Sequence, residues 1–183
     1  MSPRPVLLLL LLAACAACGH ADAFDNGVLH KGDLTVHVGP VPATWRRVSL
    51  EGADLAYRDD ARAASAMFDV RCARRDGDAP LSALTAQLIM GTTQRDFVSQ
   101  ETLPLDEREA MHTTLRAKLD GVPLQYDIFV MKKDGCVYDL VYVAEPDQYA
   151  AGAADFERFA RGLHAQSPPV GVGRAGPGPA SDP

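Results

Sequence analysis

Between Leu34 and Ala165 the apolar positions alternate in some stretches and recur every three to four residues in others. Alternation marks half-buried strands; the longer period marks helices. Residues 34–38 (LTVHV) alternate and predict a first strand. Trp45 to Leu50 and Ala53 to Arg58 predict a short hairpin turning at Glu51-Gly52, and Ser65 to Ala73 predicts a stronger strand. Asp78 then offers a helix cap, with Pro80 near the first turn. Leu81, Leu84 and Leu88 follow at i, i+3 and i+7, and Gly91 supplies a stop. Residues 95–103 predict an extended segment.

The run from Glu107 to Ala144 holds three extended segments separated by Asp120-Gly121 and Asp134-Gly135. Asp-Gly pairs tolerate the positive φ angles of two-residue hairpin turns. Two such turns fix the register. Leu119 pairs with Val122, so Leu115 lies opposite Tyr126 and Thr113 opposite Ile128. Lys133 pairs with Cys136, so Phe129 lies opposite Leu140 and Asp127 opposite Tyr142.

Register sorts the side chains by face. One face takes Met111, Leu115, Leu119, Val122, Leu124, Tyr126, Ile128, Val130, Val137, Val141 and Val143, and is expected to be buried. The other takes His112, Thr114, Arg116, Phe129, Met131, Tyr138, Leu140 and Tyr142 and is half apolar. A sheet open to water on one side alternates more cleanly, so each face needs a cover. The helix after Asp78 is one cover. The segment from Asp147 to Ala165, with Phe156, Phe159 and Leu163 in a helical stripe, is the other. The expected class is α+β: a twisted antiparallel sheet flanked by helices.

The ends of the chain read differently. Arg4 precedes an unbroken aliphatic run from Val6 to Leu12, too short to span a bilayer but of the right length for a signal-peptide core. Leu12-Ala13-Ala14-Cys15 resembles the lipobox of bacterial lipoproteins. The resemblance implies cleavage before Cys15, a diacylglyceryl thioether on its sulfur and an acylated amino group; several acyl chains give lasting anchorage in a lipid bilayer. Two alternatives stay open: a plain secretory signal cut near Ala17 or Ala23, and lipidation at Cys18, which lacks the usual branched residue three positions upstream. The expected division is signal peptide 1–14, lipidated anchor and tether 15–33, one domain 34–165 and a Pro/Gly-rich disordered tail 166–183. Cys15 is followed by Ala16 rather than Asp, which resembles the sorting signal for an outer-membrane anchor facing the periplasm.

Export changes the reading of the cysteines. Cys72 and Cys136 are expected to pair, since disulfides persist in an oxidising compartment; two separate buried thiols are the alternative. Lys and Arg total 18 against 24 Asp and Glu, a net charge of −6. A nucleic-acid binder needs a basic footprint, and this chain has none.

The order of elements resembles the PsbP-like fold, an α/β/α sandwich that includes photosystem accessory proteins and bacterial envelope lipoproteins of the DcrB type. The likeness rests on that order and on strings such as Leu119-Asp120-Gly121-Val122 and Tyr138-Asp139-Leu140-Val141-Tyr142. It implies a binding or assembly protein, with an envelope protein as partner and no cofactor.

Catalytic motifs with fixed spacing are missing. His112 is the one candidate base, sharing a strand face with Thr114 and Arg116, with Asp127 and Tyr142 across from Thr114. A small hydrolase or metal-dependent enzyme built on this patch is the alternative to a binding module. His20, Asp22, Asp25 and His30 carry metal-ligating groups, but a flexible acidic stretch holds metals weakly, so no metal site is assigned. Asp139 falls on the apolar face, which points to a bulge or a register error. Phe129, Tyr138 and Tyr142 have two readings, a partner-binding patch or core.

Overall fold

The computed structural model describes residues 23–72 and 79–167. Among these, strands β4 (Arg46–Val48), β5 (Leu55–Asp59), β6 (Ala64–Arg71), β7 (Thr93–Leu105), β8 (Arg108–Leu119), β9 (Val122–Lys133) and β10 (Cys136–Ala144) form an antiparallel sheet. Its order is β4-β5-β6-β10-β9-β8-β7. The register across β8, β9 and β10 is the one the Asp-Gly turns dictate, with Leu119 opposite Val122, Thr113 opposite Ile128, Lys133 opposite Cys136 and Phe129 opposite Leu140. Asp120, Gly121, Asp134 and Gly135 all have positive φ, as the tight turns require.

Helix α1 (Leu81–Leu88) covers the face bearing Leu115, Tyr126, Ile128, Val130, Val137 and Val141. It starts at Pro80 without a side-chain cap, and Asp78 lies outside the described residues. It stops at Ile89, before Gly91. At the end of this face Leu119 and Val122 are exposed, beyond the reach of the helix.

Helix α2 (Tyr149–Arg161) covers the other face, which carries the larger core. Phe68, Phe129, Tyr138, Leu140 and Tyr142 pack there against Phe156, Phe159 and Trp45. The half-apolar pattern therefore understates this face: its aromatic part is fully closed. The helix is shorter than its periodicity suggests. After Gly162 the chain extends as β11 (His164–Gln166), with Leu163 still buried.

A second antiparallel sheet has the order β1-β2-β3-β11, from β1 (Ala23–Asp25), β2 (Val28–Lys31) and β3 (Leu34–His37). Residues 23–31, read as tether, are thus strand. Their Asn26-Gly27 turn, with positive φ at both residues, closes a β1–β2 hairpin. Leu29, Leu34, Val36 and Ala165 bury their side chains in the larger core, which offsets the ordering of such short strands. Lys31 joins the two sheets, bonding Asp54 at 2.7 Å and the Val70 carbonyl at 2.8 Å.

Cys72 and Cys136 are joined by a disulfide that ties β10 to the end of β6 across a sequence separation of 64. Asp139 does point to the α1 face, and no bulge or register slip intervenes. It is 3% exposed and paired with Arg71 at 2.6 Å; the same guanidinium reaches Asp69 at 2.6 Å. A cation from the neighbouring strand makes the buried carboxylate tolerable.

Candidate functional site

The polar residues of the α2 face form one connected row. β7 contributes Glu101, β8 contributes His112 and Thr114, β9 contributes Asp127, and the first residue of α2 is Tyr149. Register places them. Glu101 lies opposite His112, His112 opposite Phe129, and Thr114 opposite Asp127.

His112 Nε2 is 2.6 Å from Asp127 Oδ1, and the Tyr149 hydroxyl donates to Asp127 Oδ2 at 2.9 Å. Thr114 hydrogen-bonds the same phenol. The imidazole stacks on Phe129, with ring centres 4.1 Å apart and planes within 12°. Its Nδ1 has no hydrogen-bond partner, is closed off from solvent, and stands 3.7 Å from Glu101 Oε1. Arg116, four residues from His112 along β8, is exposed and lies opposite Gln125.

Burial pulls the His112 pKa down, but the hydrogen bond and charge of Asp127, with help from Glu101, more than offset it, so the net shift is upward. Burial and the Asp127 charge push the Tyr149 pKa up, so the phenol stays a donor. The Tyr142 pKa is likewise pushed up to about 12, by burial first and Asp59 second. Chemically the row is a carboxylate–imidazole pair. Asp127 can only accept, which fixes the Nε2 proton toward it and leaves Nδ1 as the nitrogen free to gain or lose one.

Sequence register brings His112, Thr114 and Asp127 together. Tyr149 and Glu101 escaped it, the first because it comes from a helix and the second because β7 pairs with β8 through irregularities between Thr93 and Asp96 and between Phe97 and Ser99. Of the two readings of Phe129, Tyr138 and Tyr142, the structure shows core and not a partner-binding patch: they are 0%, 0% and 1% exposed. Cys15 and Cys18 lie outside the described residues. Among the described residues, no group of three His, Cys, Asp or Glu side chains is placed to hold a metal, and no helix is long and apolar enough to cross a membrane.

A second feature lies away from this row. Met90, Phe97, Val98, Leu119 and Val122 are all at least 40% exposed. Leu119 lies opposite Val122, with Gly91 beside Leu119, at the end of the sheet beyond α1; Phe97, opposite Leu115, stands with Val98 further along the edge strand β7. Grouped exposed apolar residues mark interaction surfaces more often than isolated ones do.

No protein-family pattern and no curated protein matches the sequence. The solution structure of cyanobacterial PsbP (CyanoP) from Synechocystis sp. PCC 6803 is similar, with a TM-score of 0.56 at 15% identity, covering 85% of this chain and 99% of that one. The crystal structure of LpqN, described as involved in cell envelope biogenesis of Mycobacterium tuberculosis, gives 0.52 at 17% identity over 77% of this chain and 90% of that one. The likeness at these identities is one of fold: the domain is α+β and PsbP-like.

Proposed function

We propose that this protein is a bacterial envelope lipoprotein, acylated at Cys15, whose PsbP-like domain binds an envelope protein and performs no catalysis. The observation that supports it most directly is the Cys72–Cys136 disulfide. Such a bond persists outside the reducing cytosol, and the signal-like run ahead of Cys15 supplies the route there. An envelope-biogenesis protein among the structural neighbours fits the same compartment.

The surface assigned to the partner comprises two exposed apolar spots, Leu119 and Val122 at the β8–β9 turn and Phe97 and Val98 on the edge strand β7. The His112–Asp127 distance of 2.6 Å favours a second reading, a hydrolase with His112 as general base. The ring nitrogen that would take a proton is closed off from solvent, however, and the Thr114 hydroxyl beside it is engaged by Tyr149. This arrangement favours a binding role over proton transfer by His112.

Crosslinking in the producing cell tests the reading. The native chain should trap one envelope protein; a Phe97→Ser/Leu119→Ser variant that keeps its circular dichroism spectrum should lose it, and Cys15→Ser should weaken it. Capture of no envelope protein by either the native or the Cys15→Ser chain overturns the proposal. So does loss of a cellular phenotype in His112→Ala while capture is intact.

A further inference from the structure

His112 faces two carboxylates from two different strands, Asp127 on β9 and Glu101 on β7. Its two nitrogens are not equivalent. Nε2–H is committed to Asp127 at 2.6 Å. In the neutral ring Nδ1 is then a bare lone pair, aimed at Glu101 Oε1 across 3.7 Å with no partner of its own. Two acceptors face each other there and repel. Adding one proton to Nδ1 turns the same contact into a charge-assisted attraction.

The strand concerned lies at an edge and pairs irregularly. β7 is the edge of the large sheet, and its residues from Thr93 to Thr102 are all exposed. Register shifts between Thr93 and Asp96 and between Phe97 and Ser99 interrupt its pairing with β8. The first regular pairs after them are Ser99 with Thr114, Gln100 with Thr113 and Glu101 with His112. Gln100 bonds Thr113 at 3.0 Å, so Glu101 and His112 stand where the ladder restarts.

We propose that His112 is a proton-operated clamp that holds the edge strand β7 more tightly onto β8 and β9 when its Nδ1 is protonated and loosens that strand when it is not. The other groups facing the ring fit this role. From β9, Asp127 supplies the fixed counter-charge and Phe129 the stacking floor. From β8, Thr114 offers only a hydroxyl. From α2 and β10, Tyr149 and Tyr142 keep their protons, because burial raises both. The ring is therefore the group that changes charge near neutral pH.

The sign follows from the raised pKa of His112. The clamp is fully on below the ordinary histidine value of about 6.5 and is lost as pH rises through the higher folded value. β7 carries Phe97 and Val98, so the clamp would tune the partner surface; that consequence alone rests on the proposed function.

Amide hydrogen exchange of the full mature chain tests the clamp without any partner. Protection of residues 99–103, corrected for the intrinsic pH dependence of exchange and referenced to β6 amides, is read beside the NMR titration of the His112 ring. Protection should fall about two- to fivefold, the scale of one cross-strand ion pair, at the same midpoint as the ring titration. In His112→Gln the step should vanish. Glu101→Gln changes an exposed side chain and so leaves the fold intact; it should flatten the step and lower the ring midpoint. A flat β7 profile through the His112 titration overturns the proposal, and so does an undiminished step in Glu101→Gln.

Discussion

Substituting Gly152 by alanine tests how α2 is seated over the polar row. Glycine to alanine in an open helix interior stabilises by about 1 kcal/mol. Gly152 is not in the open. A Cβ there would lie 2.1 Å from the Tyr142 hydroxyl oxygen and 2.9 Å from its ring carbon Cζ. Tyr142 has nowhere to retreat: it is 1% exposed, stacked on Phe156 at 5.5 Å and flanked by Tyr149 at 5.9 Å. The helix must lift instead. Overpacking of this kind costs about 1–3 kcal/mol, and a contact so short belongs at the upper end. The expected net loss is about 2 kcal/mol, or roughly 4–8 °C in Tm for a domain of this size. Tyr142→Phe removes a buried hydroxyl that has no hydrogen-bond partner among the described residues, so alone it should be nearly neutral or slightly stabilising. Together the two changes leave the new Cβ 2.9 Å from Cζ and 3.4 Å from Cε2, a much smaller overlap that a modest shift of the ring relieves. The double variant should therefore be more stable than the sum of the singles by about 1 kcal/mol. Urea melts followed by near-ultraviolet circular dichroism measure all four corners of the cycle. A Gly152→Ala variant that gains the full open-helix increment, or a cycle that is additive, would refute the packing argument.

Reducing the Cys72–Cys136 bond, or replacing both residues by serine, should remove about 4 kcal/mol of loop-closure stabilisation across its separation of 64, seen as a Tm lower by roughly 10 °C; an unchanged Tm contradicts this. Asp106 is a buried hub bonded to Lys133 at 2.7 Å, His164 at 2.6 Å and the Ala165 amide at 2.8 Å, so Asp106→Ala strands the nearly buried Lys133 and should cost about 3 kcal/mol or more in denaturant melts. Burial alone would raise the Asp106 pKa, but these three partners bring it below the ordinary carboxylate value. Its stabilisation is therefore present above that value and lost as pH falls through the folded one; the variant's acid-unfolding profile should lack that component.

The large sheet was readable because its determinants are local. Two Asp-Gly turns fix three strands, and period-two sorting then separates Leu115 and Ile128 from Phe129 and Tyr142 without further information. The same register was enough to place His112 near Asp127. What escaped depends on contacts between distant segments. β1 and β2 span three and four residues of mixed polarity and are ordered by burying Leu29 against the larger core, though Asn26-Gly27 was a hairpin signal in plain sight. β11 follows a helical stripe whose last member, Leu163, is buried whether the helix continues or not. Register puts Asp139 on the correct face, but its partner Arg71 sits on a strand joined through a long connection, so local pattern supplies the buried carboxylate with no counter-charge. Leu119 and Val122 follow the pattern of buried positions yet overhang the end of α1, because periodicity says which way a side chain points and not how far its cover extends.

The claim on which the functional account turns is that the mature chain begins at an acylated Cys15. Intact-mass and N-terminal fragment spectrometry of the protein isolated from its native membrane tests this most directly. The account predicts a first residue of Cys15 carrying a diacylglyceryl group on sulfur and an acyl chain on nitrogen. An unmodified N-terminus beyond Ala17 or Ala23, on a chain recovered free of membrane, would contradict it.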